Sequence, residues 1–274
     1  MFSLPLSGQV RADEADLAKA VQNPVGSLIS IPIETTFDFG AANGDATFIN
    51  LQPVIPIRWR NINLINRTII SLIDAPGPIF GTAAIPNPIK GDAATGLGDI
   101  NHLVFFSPAE PGKVIWGFGP SVSFPTATDD ILGSEKWSLG PAAVLLTQPK
   151  PWTLGVLTRT IWSVAGADDR DDVNQFLLQP FINYNLADGW YLTTGPNIIA
   201  NWNADEKWTV PVGGGVASFT SSASNRSIFA LNRNTTSNDR KVPPTGPFVS
   251  PCNFCFPRNS HFPAVAMVDP GKGP

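Results

Sequence analysis

Large apolar side chains alternate with small or polar side chains along much of this chain, and this two-residue repeat limits the folds available to it. In segment 114–124, valine, tryptophan and phenylalanine occupy even positions, whereas glycine and serine occupy most odd ones. Because successive side chains of a β-strand point to opposite faces, the segment presents one bulky apolar face and one small face. Bulky residues outside and small residues inside are typical of a sheet that curves towards closure.

Ten segments share this alternation. They span residues 28–39, 49–58, 62–72, 98–107, 114–124, 138–147, 152–164, 175–184, 190–200 and 207–216. Strands of soluble sheets usually have about 5–6 residues, whereas a tilted strand needs roughly 9–11 residues to cross a bilayer. Because most of these segments reach the greater length, the sequence predicts an all-β fold, an antiparallel up-and-down transmembrane β-barrel with about ten strands.

The composition and the connections between segments agree with a barrel. Only 15% of the residues are charged, against about 25% in ordinary soluble proteins. No apolar run approaches the roughly 18 residues of a transmembrane helix. Connections are short at 58–61, 108–113, 148–151 and 186–189, and mostly longer at 40–45, 74–97, 125–137, 165–173 and 201–206. Short turns on one side and longer loops on the other are typical of transmembrane barrels.

Two groups of candidate site residues follow from the strand pattern. Indole rings favour the lipid–water boundary, so tryptophans in the candidate strands are predicted to lie there. These interface aromatics are Trp116, Trp152, Trp162, Trp190 and Trp208. The predicted lumen-facing residues lie on the polar faces and are Glu34, Arg67, Arg159, Gln175 and Gln179. Such side chains either tune the selectivity of a pore or fill a narrow barrel, and the sequence leaves both open.

The chain divides into three parts. Residues 1–27 are predicted to be a lead-in with a short helix at 12–22, residues 28–217 the barrel, and residues 218–274 a tail. The first 217 residues hold 12 Lys and Arg against 20 Asp and Glu, whereas the tail holds 6 against 2. Alternation also stops in the tail, so we expect it to be frameshifted or disordered. No Lys or Arg precedes the short apolar stretch at the N-terminus, so an export signal is expected to be incomplete or missing.

Sequence motifs that would indicate catalysis or metal binding are weak in this chain. Cys252 and Cys255 have the spacing of half a redox or metal site, but a second pair is absent from the sequence. His102 has no accompanying serine motif, which disfavours an outer-membrane hydrolase. The acidic run at 168–172 and the glycine-rich segment 91–99 are interpreted as solvated loops. We therefore expect no enzyme activity, no cofactor and no bound metal.

Several segments carry a resemblance to a known family. They include LAKAVQNPVGSLISIPIETTFDF at 17–39, NLQPVIPI at 50–57, GLGDI at 96–100, FPTATDDILGSEKWSLGPAAVLL at 124–146, WSVAG at 162–166, and the long stretch 172–216. Over roughly residues 17–217 the chain resembles bacterial outer-membrane transporter-like barrels, labelled phenol-degradation meta-pathway proteins and often mislabelled neuromedin U. The resemblance implies an outer-membrane barrel with about twelve strands in an intact relative. It implies no established substrate and no catalytic residue.

The expected function is an outer-membrane channel of a Gram-negative bacterium. We expect passive passage or binding of small solutes, including aromatic or apolar ones, with outer-membrane lipid as the other partner. A nucleic-acid partner is disfavoured because the net charge is −4 and phosphate binding needs a basic face. Two alternatives remain open: a structural outer-membrane barrel filled by side chains, and a soluble lipocalin-like binding barrel.

Overall fold

The chain folds into a single large β-sheet. The computed structural model describes residues 19–41, 44–77, 92–187, 189–205, 207–221 and 226–236. Nearly all its pairings are antiparallel, so the predicted all-β fold is confirmed. The strands are β1 (Ile33–Ala41), β2 (Gly44–Leu51), β3 (Val54–Trp59), β4 (Ile62–Ala75), β5 (Ala94–Leu97), β6 (Ile100–Pro108), β7 (Val114–Phe124), β8 (Lys136–Thr147), β9 (Trp152–Gly166), β10 (Asn174–Asn185), β11 (Trp190–Thr194), β12 (Ile198–Asn201), β13 (Trp208–Thr209), β14 (Pro211–Ser221) and β15 (Arg226–Thr236).

Some of these strands are consecutive pieces of one pass across the sheet. Both β2 and β3 pair with β4, and both β11 and β12 pair with β10. Pro53 and Pro196 lie in the two interruptions, where the missing N–H breaks the hydrogen-bond ladder. The predicted segments 49–58 and 190–200 are therefore each split in two. In the same way β5 continues into β6 and β13 into β14, which leaves eleven passes in the described residues.

The order of pairing brings the first and last strands together. Pairings run β11-β14-β15-β1-β2-β4-β6-β7-β8-β9-β10, and β11 also pairs with β10. The β1–β15 pair is parallel, unlike its neighbours, which differs from the predicted uniformly antiparallel arrangement. An odd number of alternating passes makes the first and last pass run in the same direction, and this explains the parallel pair.

The sheet has one buried and one exposed face, here called the inner face and the outer face. In β7 the outer residues Trp116 and Phe118 are 43% and 57% exposed, whereas the inner residue Ser121 is 1% exposed. This is the arrangement that the alternation predicts for segment 114–124. The connections also divide as predicted: those after β3, β6, β8 and β10 lie at one end, called the short-turn end, and those after β1, β4, β7, β9 and β12 lie at the other, called the long-loop end. The connection from β14 to β15, in the predicted tail, falls at the short-turn end.

The termini differ from the sequence prediction in two places. The first strand begins at Ile33 rather than near residue 28, and only Ser30 forms an isolated bridge, to Val54. Most of the helix predicted at 12–22 lies outside the described residues, which start in a helical turn at 19–21.

At the other terminus the predicted boundary at 217 falls inside β14, and β15 lies within the predicted tail. Backbone hydrogen bonds to β14 and β1 hold β15, and such bonds need no side-chain alternation. Residues 237–274, with both cysteines, lie outside the described part.

Candidate functional site

The outer face carries the tryptophans. All eight tryptophans of the chain are exposed, from 41% for Trp152 to 66% for Trp59. The predicted interface aromatics Trp116, Trp152, Trp162, Trp190 and Trp208 are all among them. Tryptophan is normally well buried in soluble proteins, so eight exposed indoles are an unusual surface.

The exposed tryptophans form two groups, one at each end of the strands. The short-turn group is Trp59, Trp116, Trp152 and Trp190, and the long-loop group is Trp137, Trp162, Trp202 and Trp208. Further aromatic rings pack beside both groups: the ring centroids of Trp152 and Tyr184 lie 4.7 Å apart, and those of Phe124 and Trp137 lie 5.3 Å apart. On β9, Trp152 and Trp162 share the outer face and are separated by ten positions. Exposed aliphatic residues occupy the region between the two groups, including Leu145, Leu154 and Ile182.

Two predicted inner residues, Glu34 and Arg67, form a hydrogen-bonded chain through Gln52, which was not among the predicted lumen-facing residues. Gln52 Nε2 donates to Glu34 Oε2 over 2.9 Å, and Arg67 Nη2 donates to Gln52 Oε1 over 2.5 Å. Gln52 therefore connects a carboxylate on β1 to a guanidinium on β4. The alternation in segment 49–58 places Gln52 on the polar face, but nothing local in the sequence indicated that it bonds to both Glu34 and Arg67.

Arg159 and Gln175 form a second inner group. Arg159 Nη1 donates to Asn101 Oδ1 over 2.5 Å, and Arg159 Nη2 lies 3.4 Å from Gln175 Oε1. Arg159 is 4% exposed and Gln175 is 1% exposed, so both are sealed from solvent. Gln179 lies on the same face of β10 as Gln175 but is half-buried. All five predicted inner residues thus lie on the inner face: Glu34 and Arg67 belong to one group, Arg159 and Gln175 to another, and Gln179 lies further along β10.

Much of the inner face is apolar, which the prediction of a lumen lined by polar residues did not include. One cluster joins Ile65, Leu103, Phe105, Leu146 and Leu157 across β4 to β9. A second cluster, with Phe48, Ile73 and Leu132, lies nearer the long-loop end. In β6 the segment LVFF at 103–106 has apolar residues at both odd and even positions. Alternation alone therefore did not show that Leu103 and Phe105 point inward.

The N-terminal segment 19–25 packs on the inner face near the short-turn end. Lys19 Nζ donates to the carbonyl of Gln148 over 2.6 Å, and Gln148 Nε2 donates back to the carbonyl of Lys19 over 2.8 Å. Gln22 Nε2 donates to Asn185 Oδ1 over 2.7 Å. Val25 is 3% exposed, and a Cβ added at Gly117 would lie 3.0 Å from it. The absence of a side chain at Gly117 therefore lets the segment approach β7 closely.

The connection 125–135 folds over the long-loop end. Asp99 is fully buried and accepts hydrogen bonds from the backbone N–H groups of Thr126, Ala127 and Ser134 and from the Ser134 hydroxyl. Arg170 donates to Glu135 Oε1 and to the carbonyl of Gly133, both over 2.6 Å. These two residues fix the connection against the sheet.

The remaining sequence candidates carry no reactive arrangement in the described part of the chain. His102 lies on the outer face, where its Nδ1 is 2.9 Å from Thr68 Oγ1. Asp168, Asp169, Asp171 and Asp172 are exposed, as expected for a solvated loop. Among described residues, no group of three His, Cys, Asp or Glu side chains could hold a metal ion. Within the same residues, none of the helical segments is long and apolar enough to span a bilayer.

Comparison with protein-family models, with curated proteins and with solved structures gave no match for this chain. A functional proposal for this chain therefore rests on its own residues and their geometry.

Proposed function

We propose that this chain is an outer-membrane β-barrel of a Gram-negative bacterium, related to the transporter-like family that its segments resemble, through which a small solute passes passively or in which it binds. The observation that carries the proposal is the outer face, with exposed aliphatic residues between two groups of exposed tryptophans. Soluble monomers rarely expose contiguous apolar patches above a few hundred Å². In a membrane, lipid chains would cover the aliphatic part of this face, and the indole rings at its two margins would lie at the two headgroup regions, where tryptophan is enriched.

The spacing of the aromatic groups supports a membrane location. The ten positions from Trp152 to Trp162 correspond to roughly 33 Å along a strand. With a strand tilt of about 40°, this becomes roughly 25 Å along the barrel axis, the usual height of the apolar band of outer-membrane barrels. The outer face also disfavours the soluble lipocalin-like alternative, because its exposed large apolar residues would then meet water.

A solute path through the interior is proposed from the polar inner residues. Glu34, Arg67 and Gln179 are half-buried on the inner face and can contact a passing molecule. Neither the fold nor these residues provide an energy source, so the proposed passage is passive. Small solutes, including aromatic or apolar ones, are the proposed class.

The second candidate function is a structural barrel without transport. The fully buried Phe105, Ile65 and Leu103 favour it, because close-packed side chains leave no room for solute where they meet.

One experiment distinguishes the proposed channel from a structural barrel and from a soluble protein. The full chain is refolded with phospholipid vesicles, floated on a density gradient and then tested in a planar bilayer. We expect co-flotation with lipid and a reproducible conductance. Recovery in the soluble fraction would overturn the membrane location, whereas flotation without conductance would leave the structural barrel in its place.

A further inference from the structure

The inner face is divided between two walls that differ in solvent exposure. On β6 to β9 the inner side chains away from the strand ends are sealed: Leu103, Ser121, Ala142 and Leu157 are each at most 4% exposed. We call this the sealed wall. Half-buried inner side chains occur on the other strands, and Glu34, Asp38, Asn50, Arg67, Gln179 and Thr193 together are called the half-buried wall.

Two features explain why one wall is sealed. Its own side chains interdigitate in the apolar cluster that includes Phe105 and Leu146. The N-terminal segment adds a second layer, because Val25 joins that cluster and Lys19 is bonded to the connection that follows β8. In the described residues this segment therefore lies against β6, β7, the connection after β8 and the end of β10.

Two half-buried apolar residues, Ile69 and Phe181, also lie on the inner face of β4 and β10 and pack against the apolar cluster, whereas the six residues of the half-buried wall are all polar. The half-buried wall holds two carboxylates, one guanidinium, two amides and one hydroxyl. Their contacts with one another and with their neighbours are hydrogen bonds: Ser71 Oγ donates to Asn50 Oδ1 over 2.7 Å, and Thr193 Oγ1 donates to Asn183 Oδ1 over 2.6 Å. Polar groups that keep access to water are inexpensive to maintain, whereas the same groups in a dry interior would need every hydrogen bond satisfied.

We propose that water and a small hydrophilic solute move along the half-buried wall, past the Glu34–Gln52–Arg67 chain, and that the sealed wall takes no part in the path. This inference rests on the proposed function and narrows its solute from any small molecule to a hydrophilic one. Arg159, although positively charged, lies on the sealed side and is a structural residue. Glu34 and Arg67 are the residues that contact the solute.

Thiol accessibility tests the path directly, because the body of the chain has no native cysteine before Cys252. In a Cys252→Ser/Cys255→Ser background, Asn50→Cys and Gln179→Cys place a thiol on the half-buried wall. Ser121→Cys and Ala142→Cys are matched positions on the sealed wall. The refolded full-length proteins in phospholipid vesicles are treated with a cationic, water-soluble methanethiosulfonate reagent, and folding of each variant is checked by circular dichroism.

We expect both half-buried positions to react roughly tenfold or more faster than both sealed ones, since a sealed thiol reacts only after local opening. Equal rates, or faster reaction at Ser121→Cys and Ala142→Cys, would overturn the path. Permeation of a hydrophilic solute into the same vesicles is measured before and after labelling. The expected labelling pattern without permeation would reject the proposed passage and leave a water-filled crevice. Permeation with the opposite pattern would reject only the path.

Discussion

Leu145 and Leu146 are adjacent leucines on β8 with opposite surroundings. Leu145 lies on the outer face and is 49% exposed, whereas Leu146 lies on the inner face and is 2% exposed. Leu146 packs in the cluster with Val144 and Leu157. The chemistry of the two side chains is identical, so any difference between them comes from the face on which the strand places them.

The comparison shows that this sheet has apolar residues on both faces for different reasons. Inside, leucine fills space among close-packed neighbours, and polar residues such as Arg159 are held by specific amide partners. Outside, about half of the surface of Leu145 is left uncovered by protein, and the tryptophans lie at the ends of the apolar region. A soluble protein needs only the first kind of apolar face, whereas a membrane barrel can use both.

The largest expected effect on stability is at Leu146, the inner leucine of this pair. Leu146→Ala removes packed methyl groups and leaves a cavity, which should lower the free energy of unfolding by about 2–5 kcal/mol. Leu145→Ala leaves no enclosed cavity and should cost clearly less. Urea unfolding of the vesicle-bound protein, followed by tryptophan fluorescence, gives both values. Equal losses at the two positions would mean that the two faces are not packed differently.

A charge on the outer face gives the next largest effect. Phe118→Arg places a cation midway along β7, where the side chain is 57% exposed. If that face contacts hydrocarbon, the change should destabilise the vesicle-bound protein by about 2–4 kcal/mol. If it contacts water, the effect should stay within about 0.5 kcal/mol.

The control for this charge is Gly112→Arg in the turn before β7, where an added Cβ would have no heavy atom within 4 Å. The same residue is introduced there outside the apolar region, so little change is expected. Urea unfolding of both variants in vesicles makes the comparison. Equal stability of the two variants would remove the main support for a membrane location.

The outer face was predictable from the sequence, and the reason is local. Residues such as Trp116 and Phe118 alternate with Gly117 and Gly119, so period two and residue size are sufficient to assign them. All five predicted interface aromatics and all five predicted inner residues lie on the expected faces. Their roles in lipid contact and solute passage stay predictions.

The interior arrangement was not predictable because it depends on contacts between distant segments. Val25 packs near Gly117, and Asp99 binds the connection around Ser134, yet no local pattern links these residues. Phe105 lies in a strand with apolar residues at both odd and even positions. The face to which it points could therefore be assigned only from the register of its strand with β4. The pairing of β15 with both β14 and β1 likewise depends on the whole sheet.

The smallest expected effect is at Asp172, an exposed residue in the connection after β9 whose carboxylate contacts the buried Lys136. The hydrogen bond from Ser163 Oγ, 2.9 Å from Asp172 Oδ1, and then the interaction with Lys136 Nζ at 3.4 Å lower the pKa of Asp172 below its usual value. Because the folded pKa is the lower one, the stabilisation is present above the ordinary aspartate pKa of about 3.9 and is lost as pH falls through the folded pKa.

Carboxyl NMR titration of the vesicle-bound or detergent-solubilised protein measures this pKa. Ser163→Ala and Lys136→Met should each raise it towards the ordinary value, and each should weaken the loss of stability on acidification. An unchanged Asp172 pKa in both variants would show that the loop does not hold this carboxylate against the sheet. In that case the connection after β9 would not be coupled to the buried Lys136, and its carboxylates would add nothing to the stability of the inner face.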